Sequence, residues 1–247
     1  MFDLSQRLYT NSCLRILTHA LRYKIINPFA HALKHSPVLS DAIFDLDAST
    51  QKDGKVVDSI AKMQFTDMNT KVDADNVKYF DLSQSSTAYM ERKAVVLREG
   101  LYYTHAYVLK WRASDGGSRT LLFHDPDRCA KVKAGSKSLM VYSHRNGEWR
   151  DSGYDIVPQQ AYWELVVVTG AGTSSTSLSG TTTFYTMDAS TRKMVLRGTA
   201  DRVCSGLNYY RIGDVGQPPG KIARIVTWKR VLSMNEIQAL ALQLGMW

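Results

Sequence analysis

The sequence predicts an all-β fold: a two-sheet antiparallel sandwich with a helical N-terminal extension and a short C-terminal helix. Three observations lead there. Beyond residue 41, short runs of strand-like residues recur between turns rich in Gly, Asn and Asp. Only one late segment, after Ser233, has a helical period. The first forty residues have their own helical period and a different charge balance. A length of 247 residues suits one large β domain plus an extension, and 44% apolar against 22% charged residues excludes wholesale disorder.

In the extension, residues 1–40, Leu14, Leu17, Leu21 and Ile25 share one helical face, with Arg15 and Arg22 together on its flank. Asn27-Pro28 stops that helix, because a residue before proline avoids the α region. A second short helix over 29–34 ends at Ser36-Pro37. From Leu4 to Ser40 there is no Asp or Glu. Arg7, Arg15, Arg22, Lys24 and Lys34 against Asp3 alone give residues 1–40 a net +4, half of the chain's +8. An amphipathic helix of this kind covers its own domain, a protein partner or a membrane surface. Arg7, Arg15, Arg22 and Lys24 interrupt any secretory apolar core, so the segment reads as an Arg-bearing, acid-poor organelle address, and secretion is disfavoured. The longest uncharged stretch, 165–187, is too rich in Ser, Thr and Gly to span lipid.

From residue 41 the period becomes that of strands. Ile43–Asp47 alternates, Gly54 turns the chain, and Val56-Val57 follows. Val77–Leu82, Ala94–Leu97, Tyr102–Trp111, Thr120–Phe123 and Ser138–Ser143 read as strands, with turns at Asp115-Gly116-Gly117 and Asn146-Gly147. Tyr162–Thr169 is an apolar run suited to a central strand. Gly170–Gly180 reads as a flexible loop before strands at Thr181–Thr186, Lys193–Leu196, Tyr209–Ile212 and Ile222–Trp228. Ser233-Met234-Asn235-Glu236 is a capping box, and Ile237, Leu240, Ala241 and Leu244 form the apolar stripe of the helix it starts. Cys13, Cys129 and Cys204 make no disulfide framework and no zinc spacing. Cys129 and Cys204 can pair in an oxidising compartment, and three reduced thiols fit equally well.

Gly153-Tyr154-Asp155-Ile156, the run Trp163–Gly170, Tyr210-Arg211-Ile212-Gly213 and the closing stretch Gly220–Ile237 occur in an order that resembles the laminin-G-like, concanavalin A-like lectin/glucanase jelly rolls. The closing stretch is the most specific part: a last strand with an inward Trp228, a basic turn, then a capped helix. The resemblance covers residues 41–247 and implies a two-sheet jelly-roll sandwich. It does not choose among lectins, peptide binders, enzymes and structural modules.

Glucanase chemistry needs paired carboxylates two residues apart on one strand, and none of the five glutamates, at 91, 99, 148, 164 and 236, is so placed. No Gly-x-Ser-x-Gly elbow or phosphate-cradling Gly loop occurs either. The chain is therefore expected to be no enzyme. Asp45/Asp47 and Asp73/Asp75 read as solvated faces. Asp125 and Asp127, in His124-Asp125-Pro126-Asp127, are the candidate calcium ligands, although calcium wants six or more oxygens; no other cofactor is expected. Asn146, Trp149, Asp151 and Tyr154 supply the aromatic and polar types a sugar needs. Tyr102, Tyr103, Tyr107 and Trp111 have too few cations beside them for nucleic acid. The resulting expectation is a non-catalytic interaction subunit of a larger protein complex in the mitochondrion or another organelle. Leu14, Arg15, Leu17, Leu21, Arg22 and Ile25 would carry the contact. A glycan-binding lectin module is the alternative.

Overall fold

The computed structural model describes residues 37–60, 62, 64–65, 70–82, 89–93, 102–112, 117–123, 130–132, 137–143, 148–156, 162–172, 179–188, 190–203, 209–213 and 216–246. The extension therefore lies outside the described residues up to residue 36, as do Asn146, Asp125, Asp127, Cys129, Cys204 and the strand expected at 94–97.

An eight-stranded sheet runs in the order β14 (Met194–Val203), β13 (Ser179–Met187), β12 (Glu164–Gly172), β7 (Tyr103–Trp111), β16 (Gly220–Trp228), β5 (Lys78–Leu82), β4 (Thr70–Val72). β1 (Phe44–Asp47) also pairs with β16, over Arg224–Thr227, while β5 takes Gly220–Ile222. The facing six-stranded sheet runs β11 (Glu148–Asp155), β10 (Ser138–Ser143), β9 (Ala130–Val132), β8 (Arg119–Phe123), β15 (Tyr209–Gly213), β6 (Tyr89–Lys93). A short ribbon joins β2 (Val56–Val57) to β3 (Gln64–Phe65). Described pairings between these strands are antiparallel, as the sandwich reading requires.

Alternate residues of each strand meet between the sheets. Phe44, Leu46, Phe80, Tyr107, Leu109, Leu121, Val141, Phe184, Ile212 and Ile225 form that core. The outer face of the large sheet is apolar too. Ala106, Val108, Leu165, Val167, Val226 and Trp228 lie under helix α1 (Met234–Gln243), which buries Ile237, Leu240 and Ala241 against them. This explains the unbroken apolar run of β12, which has no water-facing side until Ala171. Trp228 is fully buried, but under the helix rather than between the sheets. Ser233 caps α1 by accepting from the Glu236 amide, and Glu236 accepts from the Ser233 amide at 2.8 Å, so the capping box forms as read.

The stretch expected to be a loop over 170–180 is partly ladder: Gly172 pairs with Gly180 and Ala171 with Thr181. A Cβ on Gly180 would sit 2.1 Å from the Ala171 carbonyl oxygen, so close backbone approach, not a turn, accounts for that glycine. β11 is not predicted as a strand by the sequence. It is an edge strand whose bulge, between the pairs Ser138–Asp155 and Met140–Asp151, brings Ser152 against Gly198 of β14.

Pro37–Leu39 forms a single 3-10 turn on the same outer core. Val38 is buried there, and its carbonyl accepts the Trp228 indole N–H at 2.7 Å. A chain lacking residues 1–40 should melt about 5 °C or more below one lacking residues 1–36, since a buried valine and the acceptor for a buried indole both go. Thermal melts of the two truncations followed by circular dichroism check this.

Candidate functional site

Two polar constellations stand out, one sealed and one open. The sealed one centres on Glu164, the only acid in the apolar run of β12. Its side chain points between the sheets and is 1% exposed. It accepts from the Trp111 indole at 2.9 Å and from the Tyr154 hydroxyl at 2.6 Å, tying β7 and β12 of one sheet to β11 of the other. The Arg197 guanidinium lies 4.6 Å over the Tyr154 ring. Burial drives the Glu164 carboxyl above the ordinary carboxylate range, although Tyr154, Trp111, Thr186 and Arg197 all act to lower it. Burial, then the neighbouring Glu164, push the Tyr154 phenol up as well. By these hydrogen bonds the pair acts as a clasp between the sheets.

The open constellation is a cleft of about 760 Å³ at the end of α1, on the outer face of the large sheet. Its floor is Val77, Val108 and Ala223, and one wall is the helix end at Leu244, Gly245 and Met246. Inward residues of β16 step from Ile222 to Ile225, so a bulge at Ala223 is required, and it turns Ala223 and Arg224 together toward the cleft.

The facing wall is built from the turn before β5. Asp73 accepts from the amides of Asp75 at 3.0 Å and Val77 at 2.9 Å, and its second oxygen accepts the Trp163 indole N–H at 2.5 Å. One carboxylate thus shapes the turn and fixes the aromatic ring. Desolvation works to raise the Asp73 pKa, but the Val77 amide, the Trp163 indole, the Asp75 amide and nearby Lys110 outweigh it and leave the pKa lowered. Trp163 also stacks obliquely on Tyr79, centroid to centroid 5.9 Å, and Lys221 lies 4.7 Å over Tyr79. Tyr162, next in the chain, is 60% exposed. Asn76, at φ 60°, and Arg192, at φ 57°, bring polar side chains to the cleft from left-handed turns.

The acids read as solvated faces have work to do. Arg224 donates to both oxygens of Asp45, at 2.8 and 2.7 Å, and lies 3.6 Å from Asp47. The glycan candidates on β11 differ in exposure. Tyr154 is buried in the clasp, Trp149 is half-buried and Asp151 is exposed. Tyr162, Trp163, Asp75, Asn76 and Arg192 escaped attention because they come from three separate segments. Two adjacent aromatics ahead of a central strand were the available signal. Among the described residues no group of three His, Cys, Asp or Glu can hold a metal, and no helix is long and apolar enough to cross a membrane.

No protein-family model matches the chain, and no curated protein matches it. Solved structures do. Trypanosoma rangeli sialidase in complex with sialic acid superposes with a TM-score of 0.55 at 14% identity, over 84% of this chain and 33% of that one. The same sialidase with the inhibitor DANA gives 0.54 at 15% identity, over 94% and 39%. The binding domain of botulinum neurotoxin DC in complex with SialylT gives 0.53 at 13%, over 83% and 52%. The likeness shows the fold, a two-sheet β-sandwich. The chain spans about a third of the sialidase and half of the toxin-domain chain. The expectation that the chain is no enzyme is corrected here, because the sialidase is an enzyme. A missing glucanase cluster speaks to glucanase chemistry alone.

Glu164→Gln tests the clasp. A carboxyl whose folded pKa is raised contributes stability below its unfolded pKa, about 4.3, and loses it as pH rises through the folded pKa. The glutamine variant should therefore gain on wild type between pH 4 and neutrality in thermal melts at stepped pH. Glu164→Ala, which orphans two buried donors, should lose about 2–4 kcal/mol.

Proposed function

We propose that the protein is a carbohydrate-binding module of the concanavalin A-like, laminin-G-like kind, with its ligand in the cleft at the end of α1. The observation that carries this is the pairing of exposed Tyr162 and the Asp73-clamped Trp163 with polar side chains of Asp75, Asn76 and Arg192 around one opening. An aromatic face covers the apolar side of a sugar ring while amide, carboxylate and guanidinium groups take its hydroxyls. The volume suits a small saccharide. Support also comes from the solved neighbours, two of which are described with sialic acid and SialylT bound.

A second reading keeps the sandwich as an interaction subunit of a mitochondrial or other organellar assembly. The acid-free, Arg-bearing stretch from Leu4 to Ser40 favours it. Association lost on deleting residues 1–36 from a chain that stays folded would support this reading, and unchanged co-purification would remove it.

A glycan array and titration calorimetry test the carbohydrate reading. Wild type should bind, and Tyr162→Ala should weaken binding about tenfold with an unchanged melting temperature, because its ring is exposed. Trp149→Ala should bind as wild type does. Wild type binding no glycan, or Trp149→Ala alone abolishing binding, would reject the cleft.

A further inference from the structure

We propose that the cleft selects a sugar bearing a carboxylate, and that the Arg192 guanidinium receives it. This rests on the carbohydrate reading and names the ligand class of that site. The argument is an account of which charges at the cleft are already used.

Five charged side chains line the opening: Asp47, Asp75, Lys78, Arg192 and Arg224. Arg224 is held in a two-oxygen grip by Asp45, and Asp47 lies against its other nitrogen. Lys78 keeps its charge, but its ammonium is held by the Gln51 carbonyl at 3.0 Å. Arg192 is different. It is exposed, and its side chain makes no ion pair or hydrogen bond among the described residues.

The turn that carries Arg192 explains why. Asp188 is the nearest acid along the chain. Its Oδ1 accepts from the Ser190 amide and hydroxyl at 3.1 and 2.6 Å and from the Thr191 amide and hydroxyl at 2.9 and 3.0 Å. Its other oxygen lies 3.9 Å from Arg197. Those four donors hold the Asp188 carboxylate to its own turn, which is closed by the Arg192 amide on the Asp188 carbonyl at 2.8 Å. The acid is thereby kept from pairing with Arg192, and the left-handed backbone at Arg192 sets the direction in which its side chain leaves. A guanidinium on a fixed turn loses less freedom on binding than one on a mobile loop.

The fork of a guanidinium fits a carboxylate in two parallel hydrogen bonds. Asn76 can donate to and accept from hydroxyls, and Asp75 only accepts from them. Tyr162 and Trp163 supply the ring-stacking face. An unpaired guanidinium, the hydroxyl-bonding groups of Asp75 and Asn76, and an aromatic wall together describe a sugar bearing a carboxylate. Asp75 in the same opening disfavours more highly charged anions by like-charge repulsion.

Titration calorimetry of the full chain with sialyllactose, lactose and sulfated lactose tests the proposal. Sialyllactose should bind about tenfold or more tightly than lactose, and the margin should shrink as salt is raised. Arg192→Gln should erase that margin, weakening sialyllactose far more than lactose. Equal wild-type affinities, a margin that survives Arg192→Gln, or sulfated lactose matching sialyllactose would each overturn the carboxylate anchor and leave the carbohydrate reading standing. Binding of none of the three sugars, nor of any glycan on the array, would remove both.

Discussion

The central strands β7, β12 and β16 have almost no face that can meet water. Tyr107, Leu109, Val166, Val168, Ile222 and Ile225 turn toward the second sheet, while Ala106, Val108, Leu165, Val167, Val226 and Trp228 turn away from it and are equally apolar. An outer face like that must be covered, and α1 with the Pro37–Leu39 turn covers it. The helix is ten residues long, which at 1.5 Å per residue reaches about 15 Å. It ends in a left-handed turn at Gly245, so the cover stops there and the sheet beyond it is left as a cleft. The open site is a consequence of how the outer core is roofed.

Charge is organised around the same roof. Arg230, just past β16, pairs with Asp41 and lies 2.7 Å from Glu236 at the start of α1. Arg224 holds Asp45 and Asp47 of β1. The Arg224 pairs join the first and last strands of the described chain, and the one with Asp45 is largely shielded from solvent; the Arg230 pairs are exposed enough that their net worth is modest. They set position. At the cleft they occupy Arg224 and Asp47, whereas Arg192 makes no ion pair among the described residues. The buried clasp of Glu164, Trp111 and Tyr154 has the opposite character. It is closed to solvent, costly to leave half-made, and holds the two sheets in one relation.

Much of this architecture was legible in the chain. The periods of β1, β5, β7, β10 and β16 were read within a residue or two, because each alternates or runs apolar over a strand's length. The capping box at Ser233 and Glu236 was equally plain, since a cap is a local interaction between residues three apart. The short strands β3, β4 and β9 escaped because two or three residues carry no period at all. β11 was missed, and the ends of β12 and β13 were misread, for a different reason. Gly153 and Gly180 carry a turn signal locally, and only the neighbouring backbone reveals that they mark a bulge and a close approach.

By itself, then, the chain determined the strand order of polar and apolar residues, the capped closing helix, and a leading segment of distinct charge. Those properties depend on residues within a few positions of one another. The cleft was decided by tertiary structure alone. Its aromatic wall, its left-handed turns and its free guanidinium come from around residues 76, 162 and 192, and no spacing along the chain encodes that they meet. They meet because a helix too short for its sheet leaves that edge uncovered.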